Sequence, residues 1–385
     1  MEQNIIERRQ FLHLAAGTGL ALAAGAADRL AHAATPLNIL ILGGTRFLGI
    51  HLTEAALARG HGVTFFNRGR TRTELFPNIP RLMGDRDGIS NGGLQALEGQ
   101  RFDAVIDTSG YVPRHVRLSA ERLAKQAPHY LFISTVSVYR GFDSANDEES
   151  PLGTLDDPTV ETVDGRTYGP LKALCEQEAL KAYAEQRCTI LRPGLIVGPY
   201  DNTDRFTYWP ARCARGGRFI APGTPQDPIQ IIDARDLANY SLDCLEQRIT
   251  GVFNVISPPG EFLMGDLVNQ SAQLAANIAQ PPERPVPVWL PAEFLSEQKI
   301  QPWSDMPVWV PDTPDTFGFS RTSVDRAAKT GLRIRSLEST LTDTLRWHLD
   351  RPQAERDALR SGLKRERERE VLAAWDTAQA SQVGS

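Results

Sequence analysis

The apolar run LNILIL at residues 37–42 leads straight into Gly43-Gly44-Thr45-Arg46-Phe47-Leu48-Gly49, and a helical pattern, IHLTEAALARGHG, follows at once. This junction restricts the fold more than any other stretch. A short apolar run without polar alternation suits a strand buried on both faces. The helical pattern stops at Gly60 and Gly62, and VTFFN at 63–67 reads as a second strand. Strand, glycine turn, helix and strand within about 30 residues form the opening unit of a sheet that binds a dinucleotide across the turn. Glycines let the backbone come within hydrogen-bond reach of a pyrophosphate. The helix N-terminus adds free N–H groups and a partial positive charge.

The turn departs from the usual three-glycine spacing, whose second glycine would fall at Thr45 or Arg46 depending on which glycine is counted first. A side chain there must point away from the pyrophosphate or contact a phosphate itself. The second strand ends in Asn67-Arg68-Gly69-Arg70, where an acidic residue would hold the ribose 2′-OH of NAD. Arg68 suits a 2′-phosphate, which favours NADP slightly over NAD. Asp85 follows the third strand, close to the expected adenine. FDAVIDTS at 102–109 reads as a fourth strand ending in Thr108 and Ser109, and YLFIS at 130–134 as a fifth. Such runs alternating with helical patterns predict an α/β fold, a Rossmann-type doubly wound parallel sheet with a smaller C-terminal substrate-binding lobe.

Tyr168 and Lys172 open a helix and lie four apart, one turn from each other on one face. A phenol with a pKa of about 10 is a poor base at neutral pH. A nearby ammonium and an oxidised nicotinamide favour its phenolate, and about three units of lowering corresponds to roughly 4 kcal/mol. Upstream, Phe132-Ile133-Ser134-Thr135-Val136-Ser137-Val138-Tyr139 is a strand end carrying hydroxyls, and strand ends of this kind face the ligand crevice. Downstream come LRPGLIVGP at 191–199 and IIDARDLA at 231–238.

In this order the motifs resemble the short-chain dehydrogenase/reductase superfamily, in its extended or atypical epimerase/dehydratase branch, over residues 37–350. The resemblance implies that Tyr168 is the catalytic acid/base. It implies that Lys172 holds the nicotinamide ribose and lowers the Tyr168 pKa, and that Thr135 hydrogen-bonds the reacting oxygen. Gly43, Gly44 and Gly49 match its phosphate loop. The dinucleotide is thus expected to meet Gly43 to Gly49, Asn67, Arg68, Asp85, Thr108, Ser109, Tyr168 and Lys172. Dehydratases of this branch carry an acidic pair after the catalytic Thr, where this chain has Val136 and Ser137, so elimination is disfavoured. Sugar-nucleotide epimerases commonly place an Arg where Ile229 stands, which argues against a nucleotide sugar. The GGTRFLG turn also resembles a subgroup that includes chloroplast stem-loop RNA-binding proteins, which keeps an RNA-binding or scaffolding role as an alternative.

For the substrate, residues 204–212 mix aromatics with Arg. Two readings stand: Phe206, Tyr208 and Arg212 stack on a sugar ring and hold an anionic or hydroxyl-rich group, or the stretch is a packed aromatic helix start. Residues 281–315, Pro-rich and carrying Trp289, Trp303 and Trp309, are expected to form an irregular lobe closing over the cleft. His115 follows the fourth strand and is a weaker candidate for the crevice.

At the N-terminus, Arg8-Arg9 precedes a weakly apolar Gly- and Ala-rich stretch that ends in Ala31-His32-Ala33. This pattern resembles a twin-arginine signal cleaved after Ala33. The expected organisation is a signal (1–33), a NAD(P)-binding domain (34–200), a mixed region completing the sheet and adding the substrate lobe (201–350), and a charged C-terminal helix and tail (351–385). Within that tail the alternating run at 364–370 reads as a solvated helix, and residues 377–385 as frayed. A net charge of −5 disfavours nucleic acid as a partner. The four cysteines lack the spacing of a metal site or disulfide framework, and neither a metal nor a permanent membrane anchor is expected.

The expectation is therefore a periplasmic or secreted enzyme, carried by the twin-arginine translocase, with a homodimer among its expected states. It would epimerise a small carbohydrate through a transient keto intermediate with tightly held NAD(P). An NADP-dependent carbonyl reductase is the alternative within enzymes.

Overall fold

In the computed structural model, which describes residues 35–383, the apolar run forms β1 (Asn38–Leu42), followed by α1 (Leu48–Ala58) and β2 (Gly62–Asn67). The signal and cleavage site expected over residues 1–33 lie outside the described residues. β3 (Arg81–Met83), β4 (Ala104–Asp107), α2 (Pro113–Leu123), β5 (His129–Ile133), α3 (Tyr168–Tyr183) and β6 (Cys188–Pro193) continue the alternation. Next come β7 (Leu195–Val197), α4 (Tyr208–Ala214), β8 (Arg218–Pro222), β9 (Pro228–Ile229), β10 (Ile231–Asp233), α5 (Ala234–Glu246) and β11 (Gly251–Val255). The chain ends through β12 (Phe262–Leu263), α6 (Met264–Ile278), β13 (Val286–Leu290), α7 (Ala292–Glu297), α8 (Asp325–Lys329), α9 (Leu337–Leu349), α10 (Gln353–Asp357) and α11 (Arg365–Val383).

Seven strands form one parallel sheet in the order β11-β6-β5-β4-β1-β2-β3, the Rossmann-type arrangement. The strand order reverses between β1 and β4, and a crevice opens there at the strand C-termini. β1 shows why its sequence is continuously apolar. Ile39 and Ile41 pack with Leu52 of α1 and Leu237 of α5 on one face, while Leu40 and Leu42 pack with Val116 of α2 and Ala179 of α3 on the other.

A second core gathers α4, α6, α9 and α11 around the small β8–β13 and β9–β12 pairs. The C-terminal helix belongs to it, and this corrects two expectations. The alternating run is not simply solvated, because Glu368 is buried and its Oε2 lies 2.6 Å from Arg212 Nε. The tail is not frayed over 377–383, because α11 continues to Val383. Val371 and Leu372 anchor it, and Trp375 packs edge-on against Phe294 at 4.8 Å.

Cys175, Cys188, Cys213 and Cys244 are buried and unpaired, and burial pushes each thiol up to about 12. Among the described residues no helix is long and apolar enough to cross a membrane.

Replacing one partner of a buried ion pair strands the other charge, at a cost of about 3–5 kcal/mol. Glu368→Ala is therefore expected to lower the urea midpoint clearly and to make α11 cleavable by trypsin in native buffer. An unchanged midpoint and digestion pattern would show that Arg212 does not hold the helix.

Candidate active site

The reversal of strand order leaves a groove of about 570 Å³ along the ends of β1, β2, β4 and β5. Every residue expected to touch the dinucleotide lines it: the turn from Gly43 to Gly49, Asn67, Arg68, Asp85, Thr108, Ser109, Tyr168 and Lys172. Gly43 and Gly44 take φ of +116° and +91°, conformations that disfavour a side chain. A Cβ on Gly44 would lie 2.4 Å from the Phe65 ring, and one on Gly49 2.7 Å from the Gly44 Cα. The turn is thus pressed against β2 and α1, leaving its outer side to a ligand. Asn67 fixes it by donating from Nδ2 to the Gly43 carbonyl at 3.0 Å. The hydroxyls of Thr108 and Ser109 donate to the Leu42 carbonyl at 2.9 and 3.1 Å.

Arg46 and Phe47 stand where the turn departs from the three-glycine form. Phe47 enters α1 at φ +33°, a strained value for a residue with a side chain. Arg68 is exposed on the rim of the groove, with Nη1 4.0 Å from Asp85 Oδ2. Glycine turn, helix N-terminus and basic rim together fit a dinucleotide.

Sequence reasoning missed the buried support beneath this groove. Both Nη atoms of Arg86 donate to the Asp107 carboxylate at 2.6 Å, and Nη2 also reaches Ser119 at 2.7 Å. Tyr130 donates to Asp107 Oδ2 at 2.7 Å. Burial alone would raise the Asp107 carboxyl, but Arg86 and Tyr130 reverse this and hold it below the usual range. The signal available was an acid ending an apolar strand. Its partner, outside any motif, was not legible.

Tyr168 starts α3 beside the strand end of β5. Gly169 makes this possible, since a Cβ there would fall 2.0 Å from the Ser137 carbonyl. Thr135 Oγ1 accepts from Ser137 N at 3.1 Å and donates to Ser137 Oγ at 3.2 Å. Lys172 is buried one turn along, donating to the carbonyls of Gly110 (2.7 Å) and Ile133 (2.6 Å). Below it, Glu176 accepts from Ser134 at 2.5 Å and pairs with Arg192 at 2.7 Å.

In the protein alone, burial dominates the charge balance of this pair. Burial lowers Lys172 to about 8. Burial raises the Tyr168 phenol above its ordinary 10, and Tyr111 adds to the rise. The main opposing influences are a hydrogen bond to Thr135 and the charge of Arg205.

A second cavity, about 380 Å³, lies on the other side of Tyr168. Its walls include Phe47, Thr135, Ser137, Phe142, Tyr168, Asp201, Arg205, Trp303 and Phe319. Phe206, Tyr208 and Arg212 do not reach it, which corrects their assignment to the substrate. Phe206 and Tyr208 are fully buried in the second core, and Tyr208 is so close to Gly362 that a Cβ there would meet its ring at 2.0 Å. Arg212 serves Glu368 and the carbonyls of Gly216 and Arg218. Residues 204–212 send only Arg205 into the cavity. Of the three tryptophans, Trp303 forms a wall, Trp309 is buried in the core, and Trp289 packs against that core. His115 lines the dinucleotide groove rather than this cavity.

Residues 39–255, more than half of the chain, match the NAD dependent epimerase/dehydratase family. The chain belongs to this family. Among curated relatives, the chloroplast stem-loop binding protein of 41 kDa b of Arabidopsis thaliana is 28% identical over 241 residues, 58% of this chain and 59% of that protein. The 2-alkyl-3-oxoalkanoate reductase of Stenotrophomonas maltophilia is 27% identical over 225 residues, 53% of this chain and 64% of the reductase. The chain thus spans less than two thirds of either relative. The UDP-glucose 4-epimerase of Thermotoga maritima superposes with a TM-score of 0.57 at 18% identity, covering 80% of this chain and 98% of that one. WbmH of Bordetella bronchiseptica, solved with NAD+, gives 0.59 at 14% identity, covering 82% and 99%. At such identities the superpositions show the fold alone. NAD(P) is typical of the family.

Lys172 yields a pH test. With its folded pKa held near 8 against an ordinary 10.5, the folded protein binds fewer protons here than the unfolded chain between those values. Stability from this group therefore rises as pH increases across that window and is lowest below about 8. The four buried thiols lower stability toward pH 10 in any variant, so the test is the difference: from pH 7 to pH 10 the urea midpoint should follow a more positive slope in the parent protein than in Lys172→Met. Identical slopes in both proteins would refute the assignment.

Proposed function

We propose that this protein is an exported, NAD(P)-dependent, epimerase-like enzyme acting on a small carbohydrate not linked to a nucleotide. The observation that carries this reading is the place of Tyr168, whose side chain lines both the dinucleotide groove and the adjoining cavity. A proton and a hydride leave one carbinol together only if the acid/base stands where the two spaces meet. A nicotinamide bound in the groove supplies the hydride acceptor and donor.

Tyr168 takes the hydroxyl proton as the carbinol becomes a ketone and returns it when the ketone is reduced. Thr135 orients that oxygen. Lys172, in its protonated form, stabilises the phenolate and holds the ribose. Phe47, Phe142, Trp303 and Phe319 wall the cavity and exclude water. With Val136 and Ser137 after Thr135, no acid is placed there for elimination. The cavity is at the small end of the roughly 300–1,000 Å³ common for ligand pockets. That size favours a single ring over a nucleotide sugar.

Net redox neutrality agrees with the proposed export, because a cofactor loaded before translocation need not be exchanged afterwards. Arg68 on the groove rim favours NADP. The Stenotrophomonas relative's name supports a second reading, a reductase that consumes NADPH. RNA binding, the role in the Arabidopsis relative's name, is disfavoured by the acidic balance and by the Thr135–Tyr168–Lys172 cluster.

Denaturing the purified protein is expected to release NAD or NADP in near-stoichiometric amount. An empty protein that turns over added NADPH many times would favour the reductase. Tyr168→Phe is expected to keep its dinucleotide while losing about 10²- to 10⁴-fold in turnover. Arg68→Ala should weaken NADP more than NAD in a fluorescence titration, and equal losses would remove the preference.

A further inference from the structure

We propose that the cavity beside Tyr168 recognises a monosaccharide bearing one anionic group, with Arg205 taking the anion and Asp201 taking a ring hydroxyl. This rests on the reading of that cavity as the substrate site.

The argument begins with how this protein treats buried guanidiniums. Arg86, Arg192 and Arg212 are fully buried, and each faces a carboxylate, that of Asp107, Glu176 and Glu368 respectively. Arg205 is half-buried in the cavity wall and makes no ion pair among the described residues. Its Nε donates to Thr203 Oγ1 at 3.2 Å, and its guanidinium carbon lies 5.2 Å from the Trp303 ring centroid. Its terminal nitrogens have no protein partner among the described residues. The nearest acids do not supply one. Asp204 is taken by Arg351 at 2.8 Å and by the Arg360 amide at 3.2 Å. Asp201 lies beyond ion-pair distance. A partly desolvated guanidinium with free forks is completed by an anionic oxygen, because charge-assisted bonds there exceed what water provides at a closed wall.

Asp201 adds the second contact. It is 1% exposed. Its Oδ1 accepts from Thr203 N at 2.8 Å and Thr203 Oγ1 at 2.7 Å, whereas Oδ2 has no hydrogen-bond partner. An orphaned carboxylate oxygen in a ligand cavity is an acceptor for a hydroxyl. The remaining polar groups are occupied. Gln230 uses its amide on the backbone of Ser257 and Thr322, and Thr135, Ser137 and Tyr168 attend the reacting carbon. Trp303 and Phe319, edge to face at 5.2 Å, offer an apolar surface for the face of a ring.

The shared ligand chemistry is a hydroxylated ring with one anion, either a sugar carboxylate or a sugar phosphate. The test titrates the full-chain protein, carrying its dinucleotide, with glucuronate, glucose 6-phosphate and glucose by calorimetry. One of the two anions is expected to bind about tenfold or more tightly than glucose, and which one does so identifies the anion. Arg205→Met should erase that preference, while Arg205→Lys should retain part of it. Asp201→Asn should weaken all three sugars together and leave the preference intact. Circular dichroism checks that each variant is folded. If neither anion outbinds glucose in the parent protein, or if Arg205→Met keeps the preference, the proposal is overturned. Proton NMR of the same sugars after incubation reads epimerisation separately, because a transient ketone leaves the dinucleotide with no net redox change. An anion that binds through Arg205 and is never epimerised would refute the epimerase reading and leave the anion site standing.

Discussion

The close approach of Gly49 to Gly44 is the constraint on which the rest depends. It lets α1 begin directly above the end of β1, so the first turn of the helix and the backbone of residues 43–49 share one ligand-facing surface. β1 can then be an interior strand, buried by α1 and α5 on one side and by α2 and α3 on the other. The reversal of strand order follows at its edge, and both the dinucleotide groove and the cavity beyond Tyr168 open there.

The cofactor side of the site was legible because its geometry is local. A glycine turn, a strand end and a Tyr–Lys pair one turn apart keep their meaning whatever the distant chain does, and all of them meet at the groove. The substrate side was not legible for the opposite reason. Residues 204–212 contain Arg205, Phe206, Tyr208 and Arg212, and composition treats them alike. Only the second core, built by α11 more than 150 residues later, decides that Phe206, Tyr208 and Arg212 face inward while Arg205 stays in the cavity. The Arg86–Asp107 pair is illegible in the same way, since its partners come from different strand ends. The alternating charges of α11 misled because one member, Glu368, serves a core guanidinium.

The electrostatics of Tyr168 show what the protein supplies alone and what it leaves to its ligands. Burial makes both the phenol and Lys172 favour their neutral forms. A bound oxidised nicotinamide is positive and shifts the phenol toward phenolate. The phenol is therefore furthest from its phenolate form when the groove is empty. Phe47, held at a positive φ, lines both spaces.

The four cysteines carry a consequence for any route this chain takes into an oxidising compartment. Folded, it presents thiols that are buried, unpaired and protonated well past neutral pH. Threaded across a membrane as an extended chain, it would expose all four to oxidants before any core existed to separate them. Completing the fold first turns a chemical hazard into inert filling.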